Sequence, residues 1–379
     1  MVKYLKKEFK SALNKLKYPD SWFWARYTIN PYSGCEHACI YCDARSNRYY
    51  LNQDFEKEVI IKVDIDKLLN HKIKKARRLL PDVIAAGGVN DAYQQIEKEA
   101  QNTRKILLTI AKHKFPVNIA TKSNLVIRDI DLIRQISQDS WATIGFSITT
   151  TDENLAKFLE PYSSPPKERL EAIKTIKSQA PEIQVGTYFM PIIPFLEDEE
   201  DNLINVISNT KKAGADFILF SPGLTLRDSQ QEFFISKLRE SKYDYVIEPL
   251  LKLYGGKSYP PREYTNQLHP KLLKLCREYD IAFRIKRWIP LDYRKWNYKI
   301  SELLLNKEYM QTLETGVTNN GMKWAGLHLN NLEESLLDIY RRGELSRLQN
   351  FDKNIINLVS TYLEKYKHLK QKRGLDKYL

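Results

Sequence analysis

From about residue 80 to residue 290, short apolar runs alternate with longer stretches whose apolar residues recur at helical spacing. The short runs are "DVIAA" (82–86), "PVNIAT" (116–121), "ATIGFSIT" (142–149), "IQVGTYFM" (183–190), "DFILFS" (216–221) and "IAFRIK" (281–286). Between them lie stretches such as "NTRKILLTIAKHK", "PPKERLEAIKTIKSQ" and "EEDNLINVISNTKKAG", with the three- and four-residue apolar intervals of one helix face. "YTINP" (27–31) adds an earlier strand. Near-continuous apolar strands separated by helices predict a parallel sheet with helices packed outside it. About seven strands are too many for one mononucleotide-binding half and fit a complete or partial (β/α) barrel.

After "RWIPLDYRKWNY" (287–298) the strand pattern stops. "YKISELLLNKEYMQTL", "NNLEESLLDIYRRG" and "NIINLVSTYLEKYKHLKQK" read as helices. The chain thus divides into a basic N-terminal extension (1–26), an α/β barrel (27–298) and an all-α module (299–379). No internal repeat and no low-complexity tract is present.

Composition narrows the class. At 379 residues and 42% apolar, the chain can bury a large core. No apolar run reaches the ~18 residues of a membrane span. The start, "MVKYLKKEFK", has no apolar segment after it, so no secretory signal is expected and the protein reads as cytoplasmic. The net charge is +13. The excess sits at the ends, from "KYLKKEFK" to "HKIKKARR" and again at Lys365, Lys367, Lys370, Lys372, Arg373 and Lys377. Basic ends suit an anionic partner, most simply nucleic acid; charge alone equally fits a basic soluble surface.

Of four cysteines, three lie in "GCEHACIYC" (34–42): Cys35, Cys39 and Cys42, spaced C-x3-C-x2-C. In a reducing compartment clustered thiols serve metal or redox chemistry more often than disulfides. Three thiolates can hold three irons of a [4Fe–4S] cluster and leave the fourth open to a chelating ligand. Zinc is the other chemistry to weigh. It normally takes four ligands at wider spacing; His37 is poorly placed as the fourth, and no second C-x2-C exists. In a (β/α) barrel the chemistry sits in the loops after the strands. The cysteine loop follows the first strand, "GGVNDAYQ" the second, "KSN" the third and "TTDE" the fourth, so all four converge on one rim.

"NPYSGCEHACIYCDAR" closely resembles the signature of the radical SAM superfamily, specifically its spore photoproduct lyase-like branch, whose pattern is close to N-P-Y-x-G-C-x-H-x-C-x-Y-C-Y-A-R. "KSALNK" precedes it, and "GVNDAYQQIE", "TKSNLVIRDIDLI", "SITTTDENLAKFLEP", "PPKERLEAI", "PIIPFLED" and "LTLR" follow in family order, covering roughly residues 10–295. The resemblance implies a partial TIM-type barrel of about six to seven parallel strands. It implies a [4Fe–4S] cluster on Cys35, Cys39 and Cys42, and S-adenosylmethionine (SAM) as second cofactor. Tyr41 would sit against SAM, Gly87 and Gly88 would bring backbone to its amino group, Lys122 would pair with its carboxylate, and Ser147 would make a polar contact. Asn90, Asp91, Tyr93 and Glu97 share the second loop. The resemblance makes Asn90 a SAM contact and Asp91 and Tyr93 candidates for catalytic work, with Tyr93 a possible radical relay; the residues equally suit capping of the next helix. The implied reaction is reductive cleavage of SAM to a 5′-deoxyadenosyl radical, fed by an external electron donor such as flavodoxin or ferredoxin. The implied substrate is nucleic acid, DNA rather than RNA.

Two positions depart from the branch. Asp43 replaces the Tyr after the third cysteine. Gly88 stands where true spore photoproduct lyases carry a hydrogen-donor cysteine, three residues before an Asp, here Asp91. Cys276, in "KLLKLCREY", reads as a buried helix thiol. Residues 321–366 resemble the helix-hairpin-helix module of the amino-terminal domain of DNA polymerase beta. Its hairpin, close to L-P-G-I-G-x-x-I-A, is here "LQNFDKNIIN", with Phe351, Asp352 and Lys353 in the turn and both glycines gone. The module is thus a nucleic-acid contact or a purely structural helical cap. Three functions stay open: a radical SAM enzyme on nucleic acid, one on a protein or small molecule, and a non-catalytic iron–sulfur nucleic-acid-binding protein.

Overall fold

The computed structural model describes residues 2–49, 54–76 and 79–367. It divides into two compact units, Met1–Lys15 with Ala25–Lys286, and Leu16–Trp24 with Arg287–Leu379.

The first unit carries ten strands among the described residues: β1 (Lys3–Lys7), β2 (Asn14–Lys15), β3 (Tyr27–Ile29), β4 (Tyr32–Ser33), β5 (Glu58–Lys62), β6 (Ile84–Ala86), β7 (Val117–Thr121), β8 (Ala142–Ser147), β9 (Gln184–Ile192) and β10 (Phe217–Pro222). Seven form one sheet in the order β10-β9-β8-β7-β6-β3-β2. The six from β3 to β10 in that sheet are parallel, and β2 caps one edge antiparallel to β3. The sheet stays open: an α/β partial barrel of six parallel strands.

Its helices are α1 (Ile65–Lys75), α2 (Glu97–Ala100), α3 (Asn102–Lys112), α4 (Ile130–Asp139), α5 (Glu153–Leu159), α6 (Pro166–Gln179), α7 (Glu200–Lys212), α8 (Asp228–Arg239), α9 (Ile247–Tyr254) and α10 (Arg262–Glu278). Two of the starts show the local chemistry directly. Asp152 caps α5 by accepting from the backbone N–H of Asn154 (2.7 Å) and Leu155 (3.0 Å), and Pro166 opens α6 where its missing N–H costs nothing. The strands are apolar on both faces because sheet core and helices both cover them. Val117, Ile119, Ile144, Phe146, Val185 and Phe189 are all fully buried. Gly145 on β8 leaves room for the Tyr188 ring; a Cβ there would lie 2.0 Å from that ring. Tyr188 thus reaches across β8 to Asn118 on β7, 3.1 Å away.

One expected strand is absent. "IAFRIK" makes only an isolated bridge, Ala282 to Phe217 on β10. Its buried residues are Ile281 and Ile285, four apart, with Ala282 and Lys286 exposed, so it passes the sheet edge without presenting an alternating face. The N-terminal segment read as an extension holds structure of its own. β1 pairs in parallel with β5, and β5 antiparallel with β4, in a separate three-stranded sheet.

The second unit is helical: α11 (Lys295–Thr315), α12 (Asn320–His328), α13 (Leu336–Arg341) and α14 (Lys353–Glu364), around a core that includes Trp296, Leu304, Leu337 and Val359. Segment 16–24 belongs to it. Trp22 meets Tyr309 at 6.0 Å, Tyr18 meets Trp324 at 5.9 Å, and the Arg287 guanidinium lies 4.7 Å from the Trp24 ring. Of the basic tail, Lys365 and Lys367 are described; Lys370, Lys372, Arg373 and Lys377 lie outside the described residues.

Candidate active site

The parallel strands end together, so the loops after β3, β6, β7 and β8 share one rim. The cysteine loop follows β3 and β4 and is held by its own backbone. Cys35 N–H donates to Phe55 O (2.9 Å) and Ile40 N–H to Leu159 O (2.9 Å), while Cys35, Cys39 and Cys42 carbonyls accept from Ala38, Cys42 and Arg45 N–H. All three thiols are free; Cys35 and Cys39 are buried and Cys42 partly so. Arg45 clamps the loop from beneath. Its Nε donates to Cys39 O (3.0 Å), its Nη1 to Glu56 (2.6 Å), and its guanidinium stacks 3.9 Å from the Phe233 ring.

Asp91, after β6, joins three loops. Its Oδ1 accepts from Thr121 Oγ1 and Tyr93 N–H (both 2.8 Å), its Oδ2 from Lys122 N–H (2.7 Å), and His37 Nε2 lies 3.2 Å from Oδ2. His37 Nδ1 is 3.2 Å from Tyr162 O. Burial works against the Asp91 charge, but the His37 imidazole and the backbone donors outweigh it and hold the carboxyl at about 2.

A second buried carboxylate, Glu160, gathers the opposite side. It accepts from the Tyr41 hydroxyl and from Arg169 Nη2, and Lys122 Nζ lies 3.9 Å away. Arg169, 1% exposed, also donates to Ser164 O (2.7 Å) and to Ser147 O (2.6 Å). Burial opposes the Lys122 charge, but the Cys39 sulfur and Glu160 raise its ammonium above the usual lysine range. Its Nζ sits 5.7 Å from the Tyr41 ring centroid. Cys39, Tyr41, Lys122 and, through Arg169, Ser147 are therefore parts of one cluster.

Gly87 (φ +95°) has no room for a side chain: a Cβ would lie 2.5 Å from Ala120 O. Gly88 faces open space, with nothing within 4 Å of where its Cβ would be. Asn90 donates to Tyr32 O (2.6 Å), and its buried Oδ1 has no hydrogen-bond partner. Tyr93 is fully buried. Its hydroxyl, pushed well up by burial and then by Asp129 and Glu97, belongs to a separate buried group. There Glu97, the first residue of α2, accepts from Tyr32, from the N–H of Thr103 in the first turn of α3 (2.9 Å) and from Arg128 (2.6 Å). Cys276 is a buried thiol on α10, pushed up to about 12 by burial.

These residues fit the implied cofactors. The donor set is three thiols on one short loop, with an open space at Gly88 and an unpartnered acceptor at Asn90 on the neighbouring one. Among the described residues no three His, Cys, Asp or Glu side chains are gathered as ligands to a single ion; a cube seats each thiolate on its own iron and needs no such convergence. Burial pushes the Cys35 thiol up to about 12 and raises Cys39 and Cys42, so metal must displace those protons on binding.

Residues 29–207 match the family model described as "Radical SAM superfamily". The chain belongs to the radical SAM superfamily. An uncharacterized protein of Methanocaldococcus jannaschii is 34% identical over 200 residues, 52% of this chain and 71% of the relative. An uncharacterized protein of Mycobacterium tuberculosis is 29% identical over 279 residues, 72% of this chain and 80% of the relative. Solved structures of spore photoproduct lyase share the fold. The complex with dinucleoside spore photoproduct superposes with a TM-score of 0.54 at 16% identity, covering 73% of this chain and 79% of that one. A mutant with AdoMet and the dinucleoside bound gives 0.53 at the same identity. The superfamily's cofactors are a [4Fe–4S] cluster and SAM, and no described helix of this radical SAM protein is long and apolar enough to cross a membrane.

Three residues that organise the site went unassigned in the sequence: Arg45, Glu160 and Arg169. Each lies inside a quoted motif ("CDAR", "FLEP", "PPKER"). The available signal was a charge in an apolar setting, as Glu160 shows between Leu159 and Pro161. Glu197 in "PIIPFLED" is a fourth. It is fully buried, accepts from Ile193 N–H (3.0 Å) and leaves Oε1 without a partner. Burial, then Asp198 and Glu160, raise its carboxyl well above the usual range.

Proposed function

We propose that this protein is a radical SAM enzyme acting on nucleic acid, in DNA repair or base modification. The observation that carries the catalytic half is the joint placement of three free thiols, two buried and one partly so, with Lys122 and the open face at Gly88 on one rim. When bound, the cluster and SAM supply a 5′-deoxyadenosyl radical. The chain's own residues would share the tasks as follows. Cys35, Cys39 and Cys42 would hold the cluster. Lys122, kept charged by the Cys39 sulfur and Glu160, would pair with the SAM carboxylate. The Gly88 backbone would admit the amino group, and Tyr41, fixed by Glu160, would back the ligand. Asp91 keeps the three loops in register, a positioning role. Tyr93, enclosed with Glu97 and Asp129, supports the second loop rather than touching substrate.

The nucleic-acid half is supported by the +13 charge and by a fold shared with structures in which a lyase holds a dinucleoside spore photoproduct. Gly88 in place of a hydrogen-donor cysteine argues against photoproduct reversal by that route. A second reading, a protein or small-molecule substrate, is favoured by the hairpin of the second unit. Asp352 caps α14 by accepting from Ile355 N–H (2.8 Å), so a carboxylate occupies the helix end where a phosphate would dock.

The test is anaerobic turnover of the reconstituted full chain with dithionite, SAM and perdeuterated DNA or RNA. The expected result is 5′-deoxyadenosine carrying deuterium from DNA, lost in Cys39→Ala. Undeuterated product with no DNA binding supports the second reading. No 5′-deoxyadenosine from protein with a full cluster leaves the non-catalytic reading standing.

A further inference from the structure

Beside the cysteine loop a cavity of about 660 Å³ opens to solvent. Ala38 and Ile40 of that loop line it together with Phe158, Phe233 and Tyr162. None of the three cysteines lines it, nor Lys122, Ser147, Gly87 or Gly88, so it is separate from the face where those residues gather. It borders the cluster loop at Glu36, Ala38 and Ile40, and the path inward is short. The Phe233 ring lies 3.9 Å from the Arg45 guanidinium, and Arg45 Nε donates to Cys39 O at 3.0 Å.

The rim of the cavity is basic and aromatic. Lys157 lies 5.9 Å from the Tyr162 ring centroid, Lys237 5.7 Å from Phe233 and Lys242 5.2 Å from Tyr243, which packs on Phe158 at 4.8 Å. Lys57 adds a fourth amine. The two carboxylates that line the cavity are engaged within the fold. Glu36 is buried and accepts from the Tyr4 hydroxyl (2.5 Å) and Ile96 N–H (2.8 Å), and Glu56 pairs with Arg45. The lysines' own acidic partners, Asp54 for Lys57 and Glu240 for Lys237, are solvent-exposed, and such pairs exchange readily. Lys157 donates to Pro161 O (2.7 Å) and forms no ion pair among the described residues. An apolar centre ringed by exchangeable cations is complementary to a small acidic protein.

We propose that this cavity is the docking site for an acidic electron-carrier protein, flavin- or iron–sulfur-bearing, that delivers the electron for SAM cleavage. The proposal rests on the radical-enzyme reading above. With a flavin carrier, the anionic hydroquinone gives one electron and becomes the neutral semiquinone; the oxidised cluster takes that electron, and no proton moves.

The experiment compares full-length wild type with the Lys157→Glu/Lys237→Glu double variant, both reconstituted. Reduced flavodoxin and dithionite are alternative reductants. With flavodoxin, 5′-deoxyadenosine formation should fall at least tenfold in the variant and wild-type rates should fall with salt, while dithionite-driven rates stay equal. Calorimetric binding of flavodoxin should be lost in the variant. Equal flavodoxin binding and equal flavodoxin-driven rates overturn the proposal. So does loss of single-stranded DNA binding with flavodoxin binding intact, which assigns the cavity to nucleic acid. If wild type gives no product even with dithionite, the radical reading fails instead, and the binding comparison still decides the docking site.

Discussion

Gly87 and Gly88 lack side chains for opposite reasons. At Gly87 the backbone is left-handed and a Cβ would press on the Ala120 carbonyl at 2.5 Å; at Gly88 there is empty space. Gly87→Ala should therefore lose about 2 kcal/mol or more of stability. Gly88→Ala should change stability by no more than about 0.5 kcal/mol, yet weaken SAM binding about tenfold, roughly 1.4 kcal/mol. Denaturant melts of both variants and calorimetric SAM titration of the second check this; equal SAM affinity in Gly88→Ala and wild type would remove Gly88 from the binding face. Glu160 is a sharper case. Its carboxylate is shared by Tyr41, Lys122 and Arg169, all substantially buried. Glu160→Gln leaves two cations against a neutral amide, and the expected loss is about 3 kcal/mol, read as a lower urea midpoint with unchanged slope. The cysteine triplet was legible because its spacing is itself the chemistry. Glu160 and Arg169 were not, because a buried ion pair is defined by two residues that only the fold brings together.

At the level of elements, the pattern rule succeeded where strands are covered on both faces. β6, β7 and β8 fall within the predicted runs, and β9 and β10 overlap theirs while ending two residues and one residue later, because continuous apolar sequence is what double burial demands. It failed at the margins. "IAFRIK" has the composition of a strand but only one bridging partner, and partners are invisible in a single sequence. β1 was hidden by its lysines, which suit an exposed edge strand; its pattern has only Leu5 partly buried. β1 nevertheless braces the site, since Tyr4 donates to Glu36 between Cys35 and Cys39. Deleting residues 1–9 should leave the helical circular dichroism intact and speed chelator-driven iron loss from the reconstituted protein several-fold; unchanged loss would show that Glu36 holds without it. In the second unit, Asp352→Asn keeps a good helix cap and removes the negative charge from the α14 N-terminus. If the hairpin meets DNA, affinity should rise two- to five-fold, about 0.4–1 kcal/mol, measured by fluorescence anisotropy; an unchanged affinity places the DNA contact elsewhere.

The whole molecule is divided in a way no cut of the sequence reproduces. The helical unit takes residues 16–24 from near the start of the chain and 287–379 from its end, while residues 1–15 and 25–286 make the barrel unit. A boundary read from composition at residue 298 or 299 assumes that each unit is continuous in sequence, and here it is not. The consequence is physical. Trp24 is 1% exposed and faces Arg287, which is itself buried and bonded to Ser301 (2.9 Å) and Asn330. Trp22 and Tyr18 pack on Tyr309 and Trp324. A chain ended at residue 286 keeps segment 16–24 but removes every one of those partners. Burying a Trp and its neighbours is worth several kcal/mol, so the truncated chain should expose Trp22 and Trp24. The expected signs are a red-shifted tryptophan emission, binding of a hydrophobic dye and association at micromolar concentration. A second truncation that also replaces residues 16–24 by a Gly/Ser linker of equal length should suppress all three while leaving the iron content of the barrel unit unchanged. If both truncations stay monomeric with native-like emission, segment 16–24 contributes nothing to the helical core. If the linker variant alone is well behaved, it becomes the form in which to ask whether nucleic-acid binding depends on the helical unit, free of the exposed aromatic strip that would otherwise bind nonspecifically.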